Sequence, residues 1–284
     1  MPGTLELAAN VSIMFTELPY LERFAAAADA GFQSAESWWP FPSAVPDAAD
    51  VDSFVAAVDA SGIPLSALNL FGGDLPAGER GLASRPDRRA EFAANLELVV
   101  RIAERTGCRG FNALYGQRLA GYTAAEQDDL AADNLADAAT RLAAVGGTVF
   151  VEPLSRDTLG DYPIHTAADA VAVVTRVRER SALASIGLLF DTFHLAGNGE
   201  DLVAAVRRSG RFIEHVQLAD SPGRGEPGTG TVDFAAVLDA LWDGGYRKVV
   251  ACEYAPTGLT SESLGALHDL PHIALGGRAA SGVN

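Results

Sequence analysis

Residues Ile213 to Gly230 read IEHVQLADSPGRGEPGTG. The stretch opens as a short apolar strand and ends in a Gly/Pro-rich loop. Gln217, Asp220, Arg224 and Glu226 lie within it, more polar chemistry than a bare connector needs. A strand that delivers polar side chains into a loop at its C-terminal end is how a parallel α/β protein builds a site.

The same unit recurs on both sides of this stretch. Strands are expected at Leu7–Ile13, Gln33–Trp38, Pro64–Leu70, Arg109–Ala113, Thr148–Glu152, Ala184–Asp191, Phe212–Leu218 and Lys248–Glu253. Helical patterns fall between them at Pro19–Ala30, Asp47–Ala60, Arg88–Thr106, Thr123–Val145, Thr166–Arg180, Glu200–Arg208 and Asp233–Asp243. Gly31, Gly62 and Gly107 follow three of these as stop signals, and Thr123 with Glu126 forms a capping box. Phe71–Pro86 reads as a long Gly/Pro/charged loop. Eight βα units in 284 residues fit a single (β/α)8 TIM barrel, typically about 250 residues. A doubly wound sheet would want fewer strands or an obvious second domain. One domain over residues 1–284 is expected, with the Gly-, Ala- and Ser-rich tail after about 270 loosely ordered.

Composition narrows the function. The formal charge is −16, from 21 basic and 37 acidic residues, which argues against binding nucleic acid or anionic membranes. Cys108 and Cys252 are isolated, as buried free thiols of a reducing cytoplasm are. The N-terminus MPGTLELAAN lacks the basic and apolar regions of a signal peptide, and no apolar run reaches the ~20 residues of a membrane helix. A cytoplasmic protein is expected, and a homo-oligomer is compatible with this.

In a barrel the strand C-termini share one mouth. Strands five to eight end in Glu152, Asp191, Gln217 and Glu253, separated by 39, 26 and 36 residues. Each spacing is near one βα unit, so four successive strands each offer one oxygen at similar depth. Three carboxylates and an amide need compensation there. One divalent cation is the simplest form, and an all-oxygen donor set favours Mg2+ or Mn2+ over zinc. Each residue alone is as ordinary as a surface or capping group; the phase of all four carries the reading. Glu152 and Glu253 come from the two ends of the four-strand arc. They could flank a chelated substrate, one removing a proton and the other returning it at the neighbouring carbon. Both could equally be ligands only.

Gly223-Arg-Gly-Glu-Pro-Gly228 is a formal GxGxxG, but no dinucleotide cofactor is expected. Pro227 has no N–H to offer a pyrophosphate, Glu226 is an anion, and Asp220-Ser-Pro222 separates the strand from the first glycine. The loop instead carries Arg224 toward an oxygen-rich substrate. Further polar candidates are Glu36, Asn69 and Asn112 at the ends of strands two, three and four. Trp38 and Trp39 are packing residues or a pocket wall. His215 shares a face with Gln217, where layer packing competes with a functional role.

At these residues the chain resembles the hydroxypyruvate isomerase family of the xylose isomerase-like TIM barrels, roughly from Asn10 to Leu267. The stretches that carry the resemblance are Pro76-Ala-Gly-Glu-Arg-Gly81, Glu152-Pro153, Asp191-Thr-Phe-His194, His215-Val-Gln-Leu-Ala-Asp220, Arg224-Gly-Glu-Pro-Gly-Thr-Gly230 and Cys252-Glu-Tyr254. The resemblance implies a metal-assisted aldose–ketose isomerase. Glu152 and Glu253 would be the acid/base pair and ligands, with Asp191 and Gln217 completing the metal site. His194 and Arg224 match substrate-contacting positions; Asn69 and Glu36 join them as candidates. The chain departs from the family pattern at Leu68, Ala255, Ser155, Thr231 and Ser37-Trp-Trp-Pro40. Leu68 and Ala255 replace a usual histidine and lysine, which removes anchors for a small carboxylate. A ketose 3-epimerase or an oxidised-sugar lyase would use the same metal site. A non-catalytic sugar-binding barrel would have little reason to keep both glutamates. An endonuclease IV-like enzyme would need a histidine-rich zinc site and a basic groove.

Overall fold

Strand β1 (Leu7–Asn10) pairs in parallel with both β2 (Ser34–Ser37) and β8 (Val250–Cys252). Between them β3 (Leu65–Asn69), β4 (Gly110–Asn112), β5 (Thr148–Val151), β6 (Ile186–Asp191) and β7 (Ile213–Leu218) follow in order, giving one closed eight-stranded parallel barrel. The computed structural model describes residues 4–156 and 160–276. The last eight residues of the tail, 277–284, lie outside them; up to Gly276 the tail docks, Leu5 pairing with Ile273 and the Gly276 N–H donating to Gly31 O at 2.7 Å.

The helices are α1 (Arg23–Asp29), α2 (Ala48–Ser61), α3 (Arg89–Thr106), α4 (Ala124–Ala143), α5 (Ala167–Arg180), α6 (Thr192–Gly197), α7 (Leu202–Ser209), α8 (Phe234–Asp243) and α9 (Thr260–Ser263). The expected capping box at Thr123 and Glu126 opens α4, and Thr166 with Asp169 forms a second at α5. Two short helices, α6 and α9, were not expected. No helix among the described residues is long and apolar enough to cross a membrane. Both cysteines are buried and free.

The apolar stripes of the helices pack onto the outer face of the strands. Leu96, Val99, Ile102 and Ala103 of α3 are buried in this layer. A separate cluster of Ala67, Phe150 and Leu189 forms among the strand residues. The ring of Phe150 stacks on His215, with centroids 5.0 Å apart. Gly110 makes room for it: a Cβ there would lie 2.8 Å from the Phe150 ring and 2.7 Å from Ser66 O. Several strands are shorter than expected. β1 ends at Asn10 instead of Ile13 because Asn10 O accepts from the N–H groups of Ile13 and Met14, turning the chain. This puts Asn10 at a strand end, beside Glu36 in register.

Candidate active site

Asp191, the last residue of β6, also caps α6. Its Oδ1 accepts from the N–H groups of Phe193 (2.7 Å) and His194 (3.2 Å). An acidic N-cap at a helix start is favourable on both hydrogen-bonding and dipole grounds. The cap fixes the carboxylate so that Oδ2 is left buried without a hydrogen-bond partner. Across the register from Asp191 stands Gln217 on β7. Its Nε2 donates to Glu36 Oε1 at 2.8 Å, and its Oε1 is also buried and unpartnered.

Glu152 follows β5. Asn112 Nδ2 donates to its Oε2 at 2.6 Å. Glu152, Asp191 and His194 each bring a donor atom within 4.8 Å of the others, a buried Glu/Asp/His cluster able to hold a metal ion. His194 Nε2 lies 3.7 Å from Glu152 Oε1 and 3.9 Å from Asp191 Oδ2. The Ser155 N–H donates to His194 Nδ1 at 3.1 Å. Nδ1 is therefore an acceptor, and a neutral ring carries its proton on Nε2. His194 thus turns an N–H, not a lone pair, toward the carboxylates.

Glu253 follows β8 and extends its ladder, its N–H donating to Leu218 O at 3.0 Å. Oε1 accepts from Asn10 Nδ2 (2.8 Å) and Trp38 Nε1 (2.5 Å), and Oε2 from Arg224 Nη2. The same Arg224 Nη2 is 3.8 Å from Asp191 Oδ2, so the guanidinium sits between the two carboxylates. Its plane neighbours the rings of Trp38 and Phe193, at 5.7 and 5.3 Å to the centroids. Arg224 has a left-handed φ of 57°, which the surrounding loop must hold in place. Its N–H donates to Asp220 O at 3.0 Å, and its carbonyl accepts from the Ala255 N–H at 2.8 Å.

Burial governs the electrostatics. It pushes the Glu152 carboxyl up to about 8, with Asp191's charge adding to the effect. Glu253 is raised well above the ordinary carboxylate value, first by burial; Arg224 opposes the rise, while Asp191 and Glu152 add to it. Burial pulls His194 down to about 4, against the attraction of Asp191, with Arg224 and Arg80 lowering it further. Three buried carboxylates thus face one guanidinium in the inner site, and Asp191 Oδ2, Gln217 Oε1 and Asn112 Oδ1 are buried without partners among the described residues.

The cavity above these groups has a volume of about 310 Å³. Glu152, Glu253, His194, Arg224 and Asn69 all line it. Glu36 does not. It lies beneath the floor, where its carboxylate accepts from Asn10 Nδ2, His215 Nε2 and Gln217 Nε2. Trp38 is a wall residue, and Arg80 from the loop after β3 also reaches the cavity. Asn10 and Arg80 carry no role in the sequence reading. A longer β1 hides Asn10 in mid-strand, and Arg80 falls within the long charged loop Phe71–Pro86, where no local pattern points it at the cavity.

The family model for the xylose isomerase-like TIM barrel matches residues 24–270. The chain belongs to that family. A putative hydroxypyruvate isomerase of Streptomyces coelicolor is 43% identical over 87% of this chain and 89% of its own length. A 2-oxo-tetronate isomerase of Cupriavidus necator is 32% identical over 92% of this chain and 96% of its own. Among solved structures, an AP endonuclease, family 2, from Brucella melitensis superposes with a TM-score of 0.82 at 32% identity, covering 92% of this chain and 96% of that one.

Proposed function

We propose that this protein is a metal-dependent isomerase that interconverts a small 2-oxo acid or ketose with its aldehyde isomer by moving a proton between adjacent carbons. The observation that carries this is the pair of buried, unpartnered oxygens, Asp191 Oδ2 and Gln217 Oε1, beside Glu152 and Glu253 at the mouth of the barrel. Oxygens buried without a partner are costly, and a hard cation satisfies them.

Asp191, Gln217, Glu152 and Glu253 would hold the ion, and their oxygen atoms suit Mg2+ or Mn2+. When bound, such an ion supplies Lewis-acid polarisation of a substrate carbonyl and compensates the excess carboxylate charge. The remaining chemistry belongs to the chain. With a 3-hydroxy-2-oxo acid, one glutamate takes a proton from C3 and the bonding electrons form the C2–C3 double bond of an enediol. A proton then returns at C2, while the C3 hydroxyl proton passes to the C2 oxygen. The product is the 2-hydroxy-3-oxo isomer. Without the ion, burial and the Asp191 charge raise the Glu152 carboxyl; the cation would favour its ionised form, the form that can take a proton from carbon. The Nε2–H of His194 is available to a substrate oxygen, and Arg224 limits the charge on Glu253. Trp38 and Phe193 shield the site from water.

The likeness to hydroxypyruvate and 2-oxo-tetronate isomerases supports this reading. An endonuclease reading lacks support, because the net charge of −16 repels a phosphate backbone. The test is isomerisation of hydroxypyruvate, followed by NMR, with Mn2+ or Mg2+ and after chelation. Appearance of the aldehyde isomer only with metal is expected. No turnover of any small 2-oxo acid or ketose with either ion would overturn the proposal.

A further inference from the structure

The cavity holds two guanidinium groups, and they are not equivalent. Arg224 is compensated by Glu253 and Asp191. Arg80 has no carboxylate within ion-pair distance among the described residues. Its Nη1 donates to the carbonyls of Leu75 (2.8 Å) and Glu79 (2.7 Å), which leaves Nε and Nη2 without partners among the described residues. Glu79, its chain neighbour, is engaged elsewhere, accepting from Arg88 Nη1 at 2.9 Å and from the Asp74 N–H at 2.7 Å.

The loop holds Arg80 where it is. The Gly81 N–H donates to Gly72 O at 2.8 Å, and the Glu79 N–H to Asp74 O at 3.0 Å. Gly81 has a φ of 104° and lies so close to Leu114 that a Cβ would come within 2.1 Å of Leu114 O, an approach only glycine permits. Arg80 is thus a half-buried cation that lines the cavity from a pinned loop. Leu75, Leu114 and Leu154 give the same cavity its apolar wall.

We propose that Arg80 is a specificity-determining residue that takes the carboxylate of the substrate, so that the cavity selects a 2-oxo acid over a neutral ketose. The inference rests on the isomerase reading and narrows its substrate class. A guanidinium with two free N–H donors matches the two oxygens of a carboxylate. Burial and the neighbouring Arg224 charge both lower Arg80's pKa, the mark of a positive charge without an anion. The bound acid then lies with its carboxylate at Arg80 and its reacting carbons toward the two glutamates.

Hydroxypyruvate and dihydroxyacetone share a three-carbon skeleton and differ in carboxylate against hydroxymethyl. Arg80→Ala should lower kcat/KM on hydroxypyruvate about 10–100-fold more than on dihydroxyacetone, chiefly through KM. Arg80→Lys should recover part of the difference. Equal loss on both substrates, or a loss carried by kcat, would overturn the proposal. Arg80→Gln keeps a donor for the loop carbonyls and replaces Arg80→Ala if that variant fails to fold. Calorimetric binding of pyruvate is an independent arm: equal affinity in parent and Arg80→Ala overturns the assignment whatever the turnover. Loss of pyruvate binding, with a parent that isomerises nothing, keeps the anion site and sinks the isomerase reading. Arg80-dependent binding of inorganic phosphate tighter than pyruvate would also overturn it, in favour of a phosphorylated substrate.

Discussion

Glu36 on β2 accepts the amide of Gln217 on β7 at 2.8 Å, and this sets which end of that amide meets the site. Glu36 also accepts from Asn10 at 2.9 Å and His215 at 2.6 Å. Removing it strands three buried donors. Glu36→Ala should destabilise the fold by ~3 kcal/mol or more in denaturant unfolding, since each stranded group costs about 1–3 kcal/mol. It should also weaken metal binding, because Gln217 loses its orientation. A loss under ~1 kcal/mol would count against the platform.

Asp191→Asn keeps the shape of the α6 cap and removes charge from the proposed metal site. Saturating Mn2+ should raise the melting temperature of the parent more than that of the variant. Equal stabilisation of the two proteins in thermal scans would remove Asp191 from the ligand set.

The proposed ion must displace a proton from Glu152. That carboxyl is raised from 4.5 to about 8, so between pH 4.5 and 8 the metal-free fold holds a proton which the unfolded chain has lost. Its stability should therefore fall as pH rises toward 8. His194, lowered from 6.5 to about 4, tilts stability the other way, but only below pH 6.5. Between pH 6.5 and 8, Mn2+ affinity should increase with pH, with protons released on binding. Titration calorimetry in buffers of different ionisation enthalpy reads both quantities; an affinity flat across this window contradicts the assignment.

Glu253→Gln should retain the fold and lose turnover by about 10²–10⁴-fold. In deuterated water the parent should place deuterium at the carbon that gains the proton. An unlabelled product under active turnover would exclude proton exchange through the glutamates and favour a hydride shift.

The barrel was readable because its period was. Helical stripes and strand runs alternate, and the phase of Glu152, Asp191, Gln217 and Glu253 survives small errors in strand ends. β1 was overextended because Val11, Ser12 and Ile13 look strand-like, whereas the turn depends on the hydrogen bonds Asn10 O accepts. Helix α6 was missed because its six residues follow β6 without a connector, so Asp191 serves as both strand end and cap. Glu36 was placed by its strand end among groups that meet substrate. Its bond to His215 spans 179 residues, and no local pattern encodes such a partner. Trp38 is ambiguous in the sequence for a similar reason: its indole Nε1 donates to Glu253 Oε1, 215 residues away.

Closure of the ring between β1 and β8 leaves no strand flank exposed. Every backbone ladder ends on another ladder of the same molecule, so a second chain has nowhere to add a strand. That protection depends on two of the smallest pieces, four residues of β1 and three of β8. Deleting either would bare the flanks of its neighbours, so chains trimmed at one terminus should yield fibrous or amorphous precipitate in place of a smaller soluble barrel.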